Sequence, residues 1–500
     1  MKPLVVAVVG AGPSGIYAAE ALTQQSEIPV QVAVIDKLPV PFGLVRYGVA
    51  PDHPSIRSIR NTLERTLDRD DVSFFGNVAI GRDLSVEELR GVTDAVIYAY
   101  GAASDRHLEV PGEELVGSIA APDLVAWYCG NPDVHPETSP SGRQSAAPIA
   151  EHTRFAEHNP IEDLITDTTQ AVVVGAGNVA LDVLRVLIKN TDELDSTDMA
   201  DEVLGVLAKK SITDVHLLAR RGPAWTAFTT KELRELGKLD DVDLILDPAE
   251  FDLDPASQDK INTDKIATRN LAAMLDWLQR TPSGAGRRIH LHFWTRPTKI
   301  IGTDRVERVE LERTELNAEG RLVAAGPLSP IDAQLVVRSV GYRGTPLDSV
   351  PYEAATGRVP HAGGHVIRDG EFSPDEYVTG WIKRGPTGVI GTNKSDAVET
   401  VHALLRDVAD EALAADHDIN ELRDLLAARG VTPLDLVAWH RIDAAELARG
   451  QGHGRDRTTI AHRSELLAAA EGADLSVGGL PIAKPPTDNS AEDAGQGRIR

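Results

Sequence analysis

A single cysteine, Cys129, is present in 500 residues. One thiol cannot close an intramolecular disulfide, form a dithiol redox pair or hold an iron–sulfur cluster. If electrons leave this protein one at a time, the cluster that takes them belongs to a partner. Basic charge is also short: 51 Lys and Arg stand against 76 Asp and Glu, a formal net charge of −25. That field repels phosphate backbones and excludes general nucleic-acid binding. An acidic protein partner would need a local basic patch. No stretch of about 18 apolar residues exists to span a membrane. Lys2, the apolar residues 4–9 and Ala19-Glu20-Ala21 mimic a secretory signal, but the apolar run ends after six residues at Gly10, too soon for one. A cytoplasmic location is expected.

What remains is an ordinary globular composition, 42% apolar and 25% charged, in a chain too long for one core. Its main organising feature is a near-repeat. Val8-Val9-Gly10-Ala11-Gly12 returns about 165 residues later as Val173-Val174-Gly175-Ala176-Gly177. Each copy follows an apolar strand and opens a helix-like run. Residues 131–168, rich in Pro, Ser, Asp and His, read as an irregular connection, and the charged residues 190–211 interrupt the second unit. Helices are expected around 231–236, 271–280 and 392–415, and strands at 289–294 and 305–313. The run 335–342 resembles 95–101, a strand ending at glycine, and reads as a return towards the first domain. The predicted fold is α/β, with two Rossmann-like, doubly wound, three-layer domains, the second inserted in the first. The first would comprise residues 1–105 and 340–474, the second 106–339, and 475–500 would form a disordered tail.

Gly10-Ala11-Gly12-Pro13-Ser14-Gly15 is a complete G-x-G-x-x-G after a strand. Gly10 permits the tight turn, Gly12 lets backbone approach a pyrophosphate, and Gly15 packs helix on strand, so that the helix N-terminus receives the diphosphate. Asp36 closes the next strand, 21 residues after Gly15, where an acid takes ribose hydroxyls. Gly175-Ala176-Gly177-Asn178-Val179-Ala180 is the G-x-G-x-x-A form. Here the next strand, 215–219, ends in Arg220-Arg221 instead of an acid. Arginines at that point suit a 2′-phosphate. The pattern predicts an unphosphorylated dinucleotide in one half and NADP(H) in the other.

The run Asp36 to Pro54 (DKLPVPFGLVRYGVAPDHP) closely resembles a signature of adrenodoxin-reductase-type ferredoxin–NADP reductases. So do Gly175 to Asp182, Arg220-Arg221-Gly222-Pro223 through Glu235, and Gly380 to Lys394 (GWIKRGPTGVIGTNK). The resemblance covers about residues 1–470 in the family's order. It implies FAD in the first domain, touched by Ser14, Asp36, Leu44, Val78, Trp381, Gly388, Val389 and Ile390. It implies NADP(H) on Ala176 to Val179, Arg220, Arg221 and Glu232, with Gly388 between the two cofactors. It also puts His53 and Glu235 near nicotinamide and flavin as catalytic candidates. Two departures stand out: Asp36 where the family often has Glu, and Ser55 where it usually has an acid after His-Pro.

Gly385, Gly388 and Gly391 make a loop running straight into the 392–415 helix. Such a loop can aim N–H groups at a flavin edge that becomes negative on reduction. Hydride transfer needs alignment and no acid–base residue, but a histidine such as His53 can relay protons as a flavin cycles. Arg287, Arg288, Arg296 and Lys299 form a basic cluster on which an acidic ferredoxin could dock. The expectation is therefore an FAD-dependent ferredoxin–NADP(+) reductase, a monomer passing single electrons to an adrenodoxin-like iron–sulfur protein that supplies oxygenases such as cytochrome P450. A disulfide reductase of the same architecture lacks its required Cys-x-x-Cys. A flavin monooxygenase or diaphorase, or a non-enzymatic protein on a flavoprotein scaffold, stays open at this point.

Overall fold

Parallel strands buried on both faces need unbroken apolar runs, and Leu4–Val9 supplies one, with all six side chains buried. The computed structural model describes residues 2–135 and 160–473. The expected tail and most of the 131–168 connection lie outside the described residues. Leu4–Val9 sits inside a seven-stranded sheet in the order His361–Ala362, His365–Arg368, Glu371–Val378, Ala95–Tyr98, Leu4–Val9, Val30–Ile35, Val72–Phe75. The last five run parallel, and the first two form an antiparallel edge.

Gln170–Val174 has the same part in a second, six-stranded sheet that is parallel throughout. Its order is Ser118–Ala120, Leu335–Arg338, Gln170–Val174, Asp214–Leu218, Arg287–His292, Val242–Leu246. An antiparallel sheet of Thr295–Ile301, Arg308–Leu316 and Leu322–Asp332 covers part of one face. Ile300, Val309 and Leu311 cluster there with Val172, Val174 and Leu218. The chain leaves the first sheet after Tyr98, builds the second, and re-enters the first at His361. The second Rossmann-like domain is thus inserted in the first. The two crossing segments pair with each other, Ser104–Asp105 antiparallel to Tyr342–Arg343.

The strand at 335–338 belongs to the second sheet, beside Gln170–Val174, where Leu335, Val336 and Val337 are fully buried. It matches Ala95–Tyr98 in the first sheet because both occupy the place next to a glycine-loop strand. The backbone after each crowds the loop. A Cβ on Gly10 would lie 2.6 Å from the Ala99 carbonyl oxygen, and one on Gly175 2.2 Å from that of Ser339. Both glycines also have positive φ, +115° and +139°, a region that favours glycine.

The expected helices form as Thr230–Leu236, Lys265–Leu278 and Thr392–Ala409. The strand expected at 289–294 ends at His292, since Trp294 takes a positive φ of 54°. The interruption at 190–211 folds into two short helices, Thr191–Leu194 and Asp201–Leu207.

Candidate functional site

Both glycine loops end in helices with bare N-termini. Pro13–Gln24 starts after Gly12 and Asn178–Ile188 after Gly177, each without a side-chain cap and without an acid in its first turn. Their first N–H groups are therefore available to an anion. A Cβ at Gly177 would meet nothing within 4 Å, and one at Gly12 nothing nearer than 3.9 Å. At Gly15 a Cβ would lie 1.9 Å from the Gly10 carbonyl oxygen, so this glycine serves helix–strand packing.

Asp36 is held by the loop itself. Its carboxylate accepts the Ala11 N–H at 2.7 Å and the Leu38 N–H at 2.9 Å. Burial pushes its pKa up, against the pull of those two bonds. Each oxygen retains lone pairs for further donors. Buried Val78 donates its N–H to the Asp36 carbonyl at 2.9 Å, and half-buried Leu44 opens the short helix Leu44–Tyr47.

A third segment closes on this loop. Ser14 Oγ donates to Asn393 Oδ1 at 2.9 Å, in the first turn of Thr392–Ala409. Gly380, at φ +78°, would put a Cβ 2.2 Å from Ser14 Oγ, and its N–H donates to Asp396 at 2.6 Å. Trp381 tilts against Tyr342 with ring centroids 5.4 Å apart. Gly388 has a positive φ of 85° and is exposed, as is Val389, while Ile390 is half-buried.

The two domains meet at His53. Its Nε2 lies 3.2 Å from Asp182 Oδ1 and 2.8 Å from Glu232 Oε2, and the Arg185 guanidinium touches the same nitrogen. The Glu232 contact is close but off the line of a hydrogen bond, leaving Oε2 without a partner in that sense. Burial lowers the His53 pKa, yet Asp182 and Glu232 outweigh it and raise the value to about 9. Burial likewise opposes the charge on Glu232, but His53 and Arg185 bring its pKa below the usual range. Arg185 also grips Asp52 through both carboxylate oxygens, at 2.6 and 2.9 Å, with Lys189 at 2.8 Å. Arg185 and Lys189 hold the Asp52 pKa well down against burial.

Glu232 and Asp182 are thus the acids at His53. Glu235, one turn further along Thr230–Leu236, is half-buried and pairs with Lys238 at 2.9 Å. Asp52, Asp182 and Arg185 were not singled out from the sequence. The signal was there: Asp182, Arg185 and Lys189 fall three and four residues apart, on one helical face.

Arg220 is exposed and Arg221 half-buried over the Trp225 ring, 5.0 Å from its centroid. Neither forms an ion pair among the described residues, and Arg221 Nε is buried without a hydrogen-bond partner. Asn178 Oδ1 accepts the Thr229 N–H at 2.8 Å, tying this helix start to the segment that follows the arginines. Ala176 and Val179 pack partly buried beside it. The basic cluster at 287–299 is largely spent internally. Arg288 is bidentate on Asp214 at 2.7 and 2.8 Å, Arg296 pairs with Glu312, and Arg287 donates to the Ile188 and Asp240 carbonyls.

Two phosphate-ready loops in coupled Rossmann-like domains, with free arginines on one only, define the two-dinucleotide oxidoreductase class. Residues 8–60 match the NAD(P)-binding Rossmann-like domain family. The chain is 42% identical to NADPH-ferredoxin reductase FprA of Mycobacterium tuberculosis, over 93% of this chain and 99% of that protein. It is 37% identical to mitochondrial NADPH:adrenodoxin oxidoreductase of Homo sapiens, over 92% and 91%. The solved structure of M. tuberculosis FprA in complex with NADPH matches with a TM-score of 0.83 and 41% identity, covering 94% of this chain and all of that one. The chain belongs to the family of NADPH-ferredoxin and adrenodoxin reductases. Among the described residues no helix is long and apolar enough to cross a membrane.

Proposed function

We infer that this chain is an NADPH-dependent ferredoxin reductase, holding FAD in the first Rossmann-like domain and NADP(H) in the second. The observation that carries the reading is the contrast between two equivalent strand ends, Asp36 in one and Arg220-Arg221 in the other. An acid suits a ribose diol and unpaired guanidiniums suit a 2′-phosphate. The domain limits that go with it are 1–105 and 340–474 for FAD, and 106–339 for NADP(H).

FAD, when bound, supplies the chemistry of accepting a hydride from NADPH and releasing electrons singly. The chain's own residues bind and orient. Gly12, Ser14 and Gly15 would present N–H groups to the flavin dinucleotide, with Gly10, whose own N–H goes to the Ile35 carbonyl, making the turn and Asp36 on the ribose. Leu44, Val78, Trp381 and the backbone of Gly388, Val389 and Ile390 would touch FAD. Gly175, Ala176, Gly177, Asn178 and Val179 would receive the NADP(H) diphosphate, and Arg220 and Arg221 the 2′-phosphate of its adenosine ribose. His53 keeps a proton on its imidazole at neutral pH, since its pKa lies near 9, and with Glu232 it stands against the first turns of the phosphate helix. Glu235 stands at the outer edge of the same helix face.

The acceptor is an acidic iron–sulfur ferredoxin, which in turn serves an oxygenase. A groove lined by Lys231, Arg234, Lys238 and Arg269, with Glu235 as its one acid, supplies the local positive charge that the overall −25 requires. A cytoplasmic monomer fits this role. The test is an anaerobic titration of FAD-supplemented, purified protein. Flavin bands that bleach with NADPH and far less with NADH, followed by reduction of an added ferredoxin, are expected. No flavin uptake, or hydroxylation of an added substrate in place of ferredoxin reduction, would overturn the assignment.

A further inference from the structure

We propose a metal site on the second sheet, made by His216, His290 and His292. His216 lies in Asp214–Leu218 and the other two in the neighbouring parallel strand Arg287–His292, in a register that sets His290 opposite His216 and His292 opposite Leu218. Alternation along a strand puts all three on one face. One ring nitrogen from each lies within 4.8 Å of the other two. His216 Nδ1 and His292 Nε2 are hydrogen-bonded to each other at 3.0 Å, a separation that a cation displacing the shared proton could span, since two nitrogens on one tetrahedral zinc at about 2.05 Å stand roughly 3.3 Å apart.

The surroundings have the character of a ligand shell. Asp214 Oδ1 lies 2.8 Å from His290 Nε2, so the Nε2–H is directed at a carboxylate and Nδ1 is left as the basic nitrogen. A carboxylate behind a ligating imidazole is the usual orienting partner. Asp214 is itself fixed by Arg288. His216 is buried and the other two are half-buried. The other ionisable group acting on this end of the cluster is Asp247, beside His292. Three nitrogen donors select a borderline cation of the zinc, nickel and copper class over calcium or magnesium, which want oxygen.

The bland alternative is a stack of three neutral rings. His216 and His290 stack at 4.2 Å with planes 12° apart, and His216 and His292 at 5.3 Å and 17°. Near-parallel rings do not share one in-plane metal, so binding turns at least two of them about their side-chain torsions. That rearrangement is what distinguishes the two readings. A stack has no use for the cation, whereas a site that binds only the folded chain raises its melting temperature.

The experiment uses tag-free, FAD-loaded protein stripped with a chelator and titrated with Zn2+ and, for its visible spectrum, Co2+. One saturable equivalent, a nitrogen-ligand Co2+ spectrum and a rise in Tm are expected in the wild type. All three should vanish in His290→Gln and in His292→Gln, with flavin content and NADPH oxidation retained. His216, being buried, is left in place so that the variants fold. No saturable uptake at micromolar metal overturns the proposal. Uptake unchanged in both variants, or abolished by His53→Asn instead, also overturns it, because the ion then sits at the His53, Asp182 and Glu232 cluster.

Discussion

Arg185, in the helix that starts at the second glycine loop, holds Asp52 of the first domain through both carboxylate oxygens at 2.6 and 2.9 Å. The same side chain reaches Asp182 at 2.8 Å and the ring of His53. One guanidinium therefore sets how the phosphate helix of one domain meets the His53 turn of the other.

Arg185 is 2% exposed, and its removal leaves Asp52 with Lys189 alone and Asp182 with His53 alone. Breaking a buried pair from one side costs about 3–5 kcal/mol. Arg185→Met is expected to lower the urea midpoint sharply and to slow NADPH oxidation by loosening the interdomain seam. A midpoint within error of wild type would show that the pair contributes nothing net.

Stability should carry a pH signature from His53. Its folded pKa of about 9 lies above the ordinary 6.5, so the stabilisation by Asp182 and Glu232 is fully present below about pH 6.5. It is lost as pH rises through about 9. In His53→Asn this component is absent, and the decline in Tm from pH 6.5 to 9 should be shallower than in wild type. Parallel Tm–pH curves would contradict the ion-pair assignment.

Coenzyme choice should reside in Arg220 and Arg221. A hydrogen bond to a charged group is worth about 1.5–3 kcal/mol, discounted here because Arg220 is exposed. Arg221→Ala should raise KM for NADPH about tenfold or more, and the double alanine variant further, with KM for NADH little changed. Steady-state kinetics with both coenzymes decide it; equal losses for NADH and NADPH would assign the arginines to folding.

Gly15→Ala should cost flavin. The new methyl would stand 1.9 Å from the Gly10 carbonyl oxygen, which forces the helix off the strand at roughly 1–3 kcal/mol. Lower FAD content per chain and a lower Tm are the expected results. At Gly177, where a Cβ meets nothing within 4 Å, alanine should leave Tm unchanged and weaken NADPH binding alone.

Both glycine loops, the acid and the arginine pair were legible in the chain because they are local. A tight turn, a bare helix N-terminus and a strand end follow one another within about 50 residues, and the spacing that makes each work is written in the chain order. The insertion of one domain in the other was legible through the same repetition. Where the strand at 335–338 pairs was not, because a glycine-ended apolar strand fits equally beside either loop and only its hydrogen-bonding partner separates the two cases.

The chain order by itself determined the architecture, the two dinucleotide loops and their different strand ends. Tertiary structure alone decided that Glu232, rather than Glu235, meets His53, since two acids one helical turn apart differ only in what the opposing domain presents. It alone joined Asp52 to Arg185, 133 positions apart, and neutralised the basic run at 287–299 with Asp214 and Glu312. It alone aligned His216 with His290 and His292. Ion pairs and shared strand faces depend on register and domain apposition, and those are set by packing between segments far apart in the chain.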